Sequence, residues 1–270
     1  MRKLCLKIHR WLALPLGVVM TVLCFSGLAL LLFKDLASLF DMNAKEIPLY
    51  TDIVRLHRWL FMKPENAHDG GLSLGRILTA VTSMCMVLVL LSGVVVWWPK
   101  SKKALKSRLT VSTNKGFRRF VYDSHVSLGI YVFIFLFLMA LTGPVFSFGW
   151  YRQGMSKLFG QPMPPKEMKA QLSKDGAKQG ETNEKAFAQP DTSKMKGQQQ
   201  AQKDGTKDMK GDQQGKKPKG GKLFKQLHTG SWGGWFSRVL YAIAAFIGGF
   251  LPISGYYLWW KRRSTKKRKA

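Results

Sequence analysis

Cysteine is scarce in this 270-residue chain: Cys5, Cys24 and Cys85 are an odd number and cannot all pair. Cys24 and Cys85 lie inside apolar runs and read as small core residues. No Cys-x-x-Cys-His sequence is present, which excludes covalent c-type haem attachment. No G-x-G-x-x-G follows a strand-like segment, so nothing points to a flavin or nicotinamide site. Acidic residues are few, 15 against 43 Lys and Arg, for a formal charge of +28. The first apolar run has no small-residue cleavage pattern near its end and is long for a secretory signal core. Cys24 follows Thr21-Val22-Leu23, a poor match to a lipoprotein site. The run is therefore expected to be a retained helix.

What the chain has instead is four long runs free of interior charge: Trp11 to Phe33, Ile77 to Trp98, Val126 to Trp150 and Val239 to Trp260. About 20 mainly apolar residues span the roughly 30 Å hydrocarbon core of a bilayer, and each run is long enough. The expected fold class is all-α and integral to the membrane, with four transmembrane helices in two tandem parallel repeats. Trp11, Trp59, Trp97 and Trp259 read as interface anchors.

Charge placement gives the expected orientation. Residues 1–10 hold four Lys or Arg, 99–124 hold eight and 261–270 hold seven, while 34–73 hold five against six acids. Lys and Arg in short loops mark the cytoplasmic side, which puts both termini inside and 34–73 outside. The placement argues against nucleic acid as a partner. The Lys-rich segment 151–238 is long enough to cross regardless of charge, since the rule fades beyond about 60 residues. Residues 163–222 are mostly Lys, Gln, Gly, Asp and Met, a composition that cannot bury enough apolar surface to offset ordering entropy. The expected organisation is thus three helices with a short outer segment 34–73 and a basic inner loop 99–124 over 1–150. A disordered basic outer loop follows over 151–222, then a fourth helix over 223–263 and a basic tail over 264–270. Leu36, Leu39, Phe40 and Ile47 suggest a small interfacial element.

The runs repeat in pairs. Ser92-Gly93-Val94-Val95-Val96-Trp97-Trp98 matches Ser254-Gly255-Tyr256-Tyr257-Leu258-Trp259-Trp260, and Arg76 and Arg238 each precede their serine by sixteen residues. His9 precedes Gly27, and His125 precedes Gly143, by eighteen. Ser26-Gly27 and Thr142-Gly143 read as small pairs permitting close helix contact in lipid. His9 and His125 open the odd runs and fall on the inner side, whereas His57 and His228 precede the even runs and fall on the outer side. A two-fold axis along the membrane normal would set each pair face to face across a four-helix bundle. Two opposed imidazoles can take both axial positions of a haem iron. The expected ligands are therefore His9 with His125, and His57 with His228, for two b haems. His68 stands eight residues before Arg76, within a nine-residue insertion, and is the alternative to His57.

His57-Arg58, Ser92-Gly93 with Trp97-Trp98-Pro99, Tyr122-Asp123-Ser124-His125 and Leu227-His228-Thr229-Gly230 resemble the recurring motifs of PepSY-associated transmembrane proteins. The resemblance covers residues 1–150 and 222–263. These are bacterial inner-membrane proteins, iron-regulated in many cases, and some are siderophore-iron reductases. The resemblance implies haem b held by histidines near helix ends and reduction of ferric complexes on the periplasmic side. Family members carry folded PepSY domains in the outer loops; here 34–56 is too short and 151–222 lacks the composition. The expected function is di-haem electron transfer to a ferric chelate or siderophore complex, fed by a quinone, flavin or reductase. The alternatives are a membrane scaffold whose outer loop binds a partner, or a haem or iron-complex carrier.

Overall fold

The computed structural model describes residues 1–62, 73–160 and 220–267, and all regular elements among them are helical. Helix α1 (Arg2–Leu39) runs 38 residues without a break. At 1.5 Å per residue it is roughly 57 Å long, well beyond the hydrocarbon core. Pro15 lies inside it and Gly17 follows. The missing side chain at Gly17 makes room for the Tyr256 ring, whose hydroxyl donates to the Leu14 carbonyl. The short helix α2 (Pro48–Trp59) starts on a proline at its first turn and stops at Leu60, which adopts a left-handed conformation at φ 48°. Helix α3 (Leu74–Trp97) is capped by Ser73, whose hydroxyl accepts from the Arg76 amide at 3.3 Å. Its far end is capped by cations. Arg2 donates to the Val96 carbonyl at 2.8 Å, and Arg108 donates to Val96 at 3.2 Å and to Trp97 and Trp98 as well. Cations belong there, at the negative end of the helix dipole.

Arg108 sits on α4 (Lys102–Leu109), which docks against α5 (Phe117–Tyr131). Ser127 and Tyr131 of α5 both donate to the Leu109 carbonyl, at 2.9 and 3.1 Å. Then α6 (Phe133–Thr142) leads into a 3-10 turn over Gly143–Phe146 and into α7 (Gly149–Leu158). After residues 161–219, α8 (Gly220–Thr229) and a 3-10 turn at Ser231–Gly233 precede α9 (Gly234–Lys267).

Three helices are long and apolar enough to cross a membrane (Arg2–Leu39, Leu74–Trp97 and Ser231–Ser264), and the bent pair α5–α6 makes a fourth if counted as one span. The expected all-α membrane architecture is present. Helix α1 packs on α3 and α9, and α6 packs on both α3 and α9, so the spans close into a ring with α1 diagonal to α5–α6.

Three expectations change in detail. The third run is not one straight helix. It bends by 64° at Val132, which sits at φ −93° and ψ −1°, and Pro144 then turns the chain out of α geometry at Gly143–Phe146. His57 and His228 do not open spanning helices; they sit in the last turns of α2 and α8, short amphipathic helices laid before α3 and α9. Residues 149–158, partly inside the expected outer loop, form α7. Both His68 and nearly all of 163–222 lie outside the described residues.

Close approach of α9 to its neighbours depends on Gly248 and Gly249. A Cβ at Gly249 would stand 2.7 Å from the Phe25 ring of α1, and one at Gly248 would stand 2.7 Å from Leu136 of α6. Overpacking of this kind costs about 1–3 kcal/mol. Gly249→Val should therefore lower the thermal midpoint in detergent, followed by far-ultraviolet circular dichroism. Gly154→Ala on α7, where an added Cβ meets nothing within 4 Å, should leave the midpoint at or slightly above the unaltered value. Equal midpoints for the two variants would contradict this packing.

Candidate metal centres

The bundle brings the four histidines together as two pairs. The His9 and His125 rings have centroids 6.3 Å apart at an interplanar angle of 88°. The His57 and His228 rings are 6.2 Å apart at 58°. Both pairs join the two repeats: His9 on α1 meets His125 on α5, and His57 on α2 meets His228 on α8. His9 and the residue that seats His57, Ser26, are seventeen positions apart on α1, which at 1.5 Å per residue separates the two layers by roughly 26 Å. The pairs thus lie at opposite ends of the membrane core.

Each ring is held by a hydroxyl from a neighbouring helix of its own repeat. His57 Nδ1 lies 2.9 Å from Ser26 Oγ, His228 Nδ1 lies 3.1 Å from Thr142 Oγ1, and His125 Nδ1 lies 2.7 Å from Ser254 Oγ. His9 Nδ1 lies 2.9 Å from the Val89 carbonyl and 3.4 Å from Ser92 Oγ. These hydroxyls have already committed their protons. Ser26 donates to Val22 O at 2.6 Å, Ser92 to Val89 O at 2.9 Å, Thr142 to Leu138 O at 2.6 Å and Ser254 to Leu251 O at 2.8 Å. The hydroxyl oxygens can only accept from the ring. Val89 O at His9, and Met139 O at 3.1 Å from His228 Nδ1, are acceptors by nature.

The tautomer follows from these partners. Nδ1 carries the proton in all four rings, and Nε2 presents its lone pair, with no hydrogen-bond partner among the described residues. For His57 and His228, both outside the spans, burial lowers the imidazole pKa; at His57 the neighbouring His228 lowers it further. The neutral ring, the form that binds metals, is favoured there.

In the first repeat the glycine after the hydroxyl residue also makes room for the ring, whereas in the second the ring leaves space for a Cβ. A Cβ at Gly27 would lie 3.1 Å from His57 Cε1, and one at Gly93 would lie 3.3 Å from His9 Cε1. At Gly255 and Gly143 the corresponding distances to His125 and His228 are 3.7 and 3.9 Å. The Ser or Thr of the Ser/Thr-Gly dipeptide therefore serves as a histidine holder in each of the four spans. Sequence reasoning took these dipeptides for helix-contact and repeat markers and missed that role. Their recurrence once per span, out of register with any single helix-packing motif, was the available signal.

The pairs can hold a metal between them. An imidazole nitrogen binds a metal at roughly 2.0 Å. With the half-width of a ring added on each side, two rings on one ion have centres roughly 6 Å apart, as both pairs do. Among the described residues no group of three or more His, Cys, Asp or Glu is assembled. The donor set at either end is two imidazoles.

A model of the PepSY-associated TM region matches residues 42–262. The chain belongs to that family. No curated protein and no solved structure matches it. The PepSY-associated match takes in His57, His125 and His228. It leaves out α1, so the equivalence of His9 with His125 rests on the internal repeat and on the ring pairing itself. In this PepSY-associated chain the His57 ring faces His228.

Removing a hydroxyl holder should loosen one end alone, since losing such outer partners costs a metal site 10–100-fold in affinity. Ser26→Ala with Thr142→Ala should weaken haemin binding at the His57–His228 pair by about that factor in a titration of apo-protein. The His9–His125 pair should titrate unchanged. Equal weakening at both ends, or none at either, would contradict the seat assignment.

Proposed function

We propose that the chain is a two-haem b membrane electron-transfer protein that takes electrons from the cytoplasmic side and delivers them to a ferric chelate on the periplasmic side. The observation that carries the reading is the geometry of the two imidazole pairs, each at the spacing of two axial ligands with every Nε2 uncommitted. His9 and His125 would hold one haem and His57 and His228 the other. A bound haem at each position would supply reversible one-electron chemistry at a saturated iron, suited to outer-sphere transfer.

The chain's own residues do the rest. Ser92, Ser254, Ser26 and Thr142 fix the rings so that no reorientation accompanies a change of charge between them. Met86, Leu90, Val132, Leu136, Ala244 and Ile247 form a dry core. The Lys and Arg of 1–10, 99–124 and 261–270, with Arg2 and Arg108 at the end of α3, support the reading of the His9–His125 end as cytoplasmic. A ferric siderophore-type complex is the natural acceptor class for a member of this family at the other end, and an anionic one is favoured by the cations there. No flavin or nicotinamide fingerprint occurs in the sequence, so the donor is a quinone, a free flavin or a separate reductase.

The pairing is tested by single substitutions read as reduced-minus-oxidised spectra. His9→Ala and His125→Ala should remove the same low-spin component, and His57→Ala and His228→Ala the other, while His68→Ala keeps both. In sealed vesicles with reductant inside and ferric citrate outside, each of the four ligand variants should reduce iron at the protein-free rate. Loss of one shared component in His9→Ala and His57→Ala would overturn the arrangement.

A further inference from the structure

Among the described residues, the end of the bundle that carries His57 and His228 holds more positive charge than carboxylates there answer. Arg76 and Arg238 occupy the same position in the two repeats, yet they are used differently. Arg238 forms an ion pair with Asp35 of α1. Arg76 has no carboxylate among the described residues; it donates from Nη2 to the Phe146 carbonyl at 2.6 Å. Arg152 of α7 donates from Nε to the adjacent Val145 carbonyl at 3.1 Å. The two guanidinium groups are thus tied to consecutive carbonyls of one 3-10 turn, each by a single donor.

Arg58 joins them. The Thr79 hydroxyl lies 3.3 Å from the Arg58 carbonyl and 3.1 Å from the Arg76 carbonyl, which fixes the end of α2 against the start of α3. The Arg58 side chain lies over the Trp59 ring, 4.6 Å from its centre, and makes no ion pair among the described residues. Partial desolvation, and after it the Arg76 charge, lower its pKa, as two cations without an anion between them would. Phe146 links the group to the imidazole pair: its carbonyl holds Arg76, and its ring packs edge-on against His228 at 5.5 Å.

We infer that Arg76, with Arg152 and Arg58, forms a carboxylate-binding site at the edge of the His57–His228 pair, filled from outside the polypeptide where Arg238 is filled by Asp35. A guanidinium held by one donor keeps the rest of its planar fork for bidentate capture of a carboxylate. Two sources offer that chemistry there: the carboxylate side chains of a haem on His57 and His228, and the carboxylates of an incoming ferric complex. The inference rests on the proposed function for the identity of both sources, while the site itself is read with free citrate.

The test uses the full-length protein in detergent, unaltered and as Arg76→Gln and Arg58→Gln. Arg58 makes no side-chain hydrogen bond among the described residues, and glutamine in its place keeps an aliphatic stem beside the Trp59 ring. Citrate is the probe in calorimetry, and redox titration gives the midpoint of each haem. If haem carboxylates fill the site, removing a positive charge stabilises the oxidised iron. Arg76→Gln should then shift the outer couple about tenfold toward oxidised, about 59 mV lower, with the inner couple fixed. Arg58→Gln should shift it less, in the same direction. If the ferric complex fills it, both midpoints hold and citrate affinity drops about tenfold in Arg76→Gln. Unchanged midpoints together with unchanged citrate binding in both variants would overturn the inference. Unaltered protein that contains no haem would instead defeat the proposed function, and citrate binding would still decide the site.

Discussion

A neutral imidazole can offer a metal only the nitrogen that carries no proton, and the rest of this bundle depends on which one the protein leaves bare. Here the choice is made four times by the same device. A Ser or Thr whose own proton is spent on its helix, or a backbone carbonyl, accepts from Nδ1. The consequence is four Nε2 lone pairs without a partner among the described residues, on two pairs of neighbouring rings. The seats also explain the helix order. Each ring is held within its own repeat but meets its partner from the other repeat, so the two repeats must close into a ring for either pair to exist.

That requirement accounts for features that would otherwise look like defects in a membrane helix. Gly27 and Gly93 give up helix propensity to admit a ring, and Gly248 and Gly249 do so to admit Leu136 and Phe25. Pro144 and the bend at Val132 spoil the third span, but they carry the chain into the 3-10 turn whose Phe146 flanks His228 and whose carbonyls hold Arg76 and Arg152. Irregular backbone at this depth is tolerated where it is covered by protein or lines a site.

Much of this was legible in the sequence. The charge-free runs, the Ser-Gly and Trp-Trp repeat and the placement of four histidines led to an all-α bundle and to the partners within each pair, because a repeat with alternating topology leaves few ways to arrange them. Spacing left His57 and His68 as alternatives; the Ser26 seat brings His57 to His228, and His68 lies outside the described residues. The roles of Ser26, Ser92, Thr142 and Ser254 were not legible as ligand orientation, since a small-residue dipeptide in a span serves close packing equally well. The short helices α2 and α8 were hidden because their apolar residues are too few to register beside the spans. The break at Val132 has no proline or glycine at its own position to announce it.

The central claim is that each imidazole pair grips one haem, and the haem content of the intact protein tests it most directly. Protein purified from haem-replete cells and assayed as the pyridine haemochrome should contain two b haems per chain, one for each of the two pairs. One haem per chain, or none, would contradict the account.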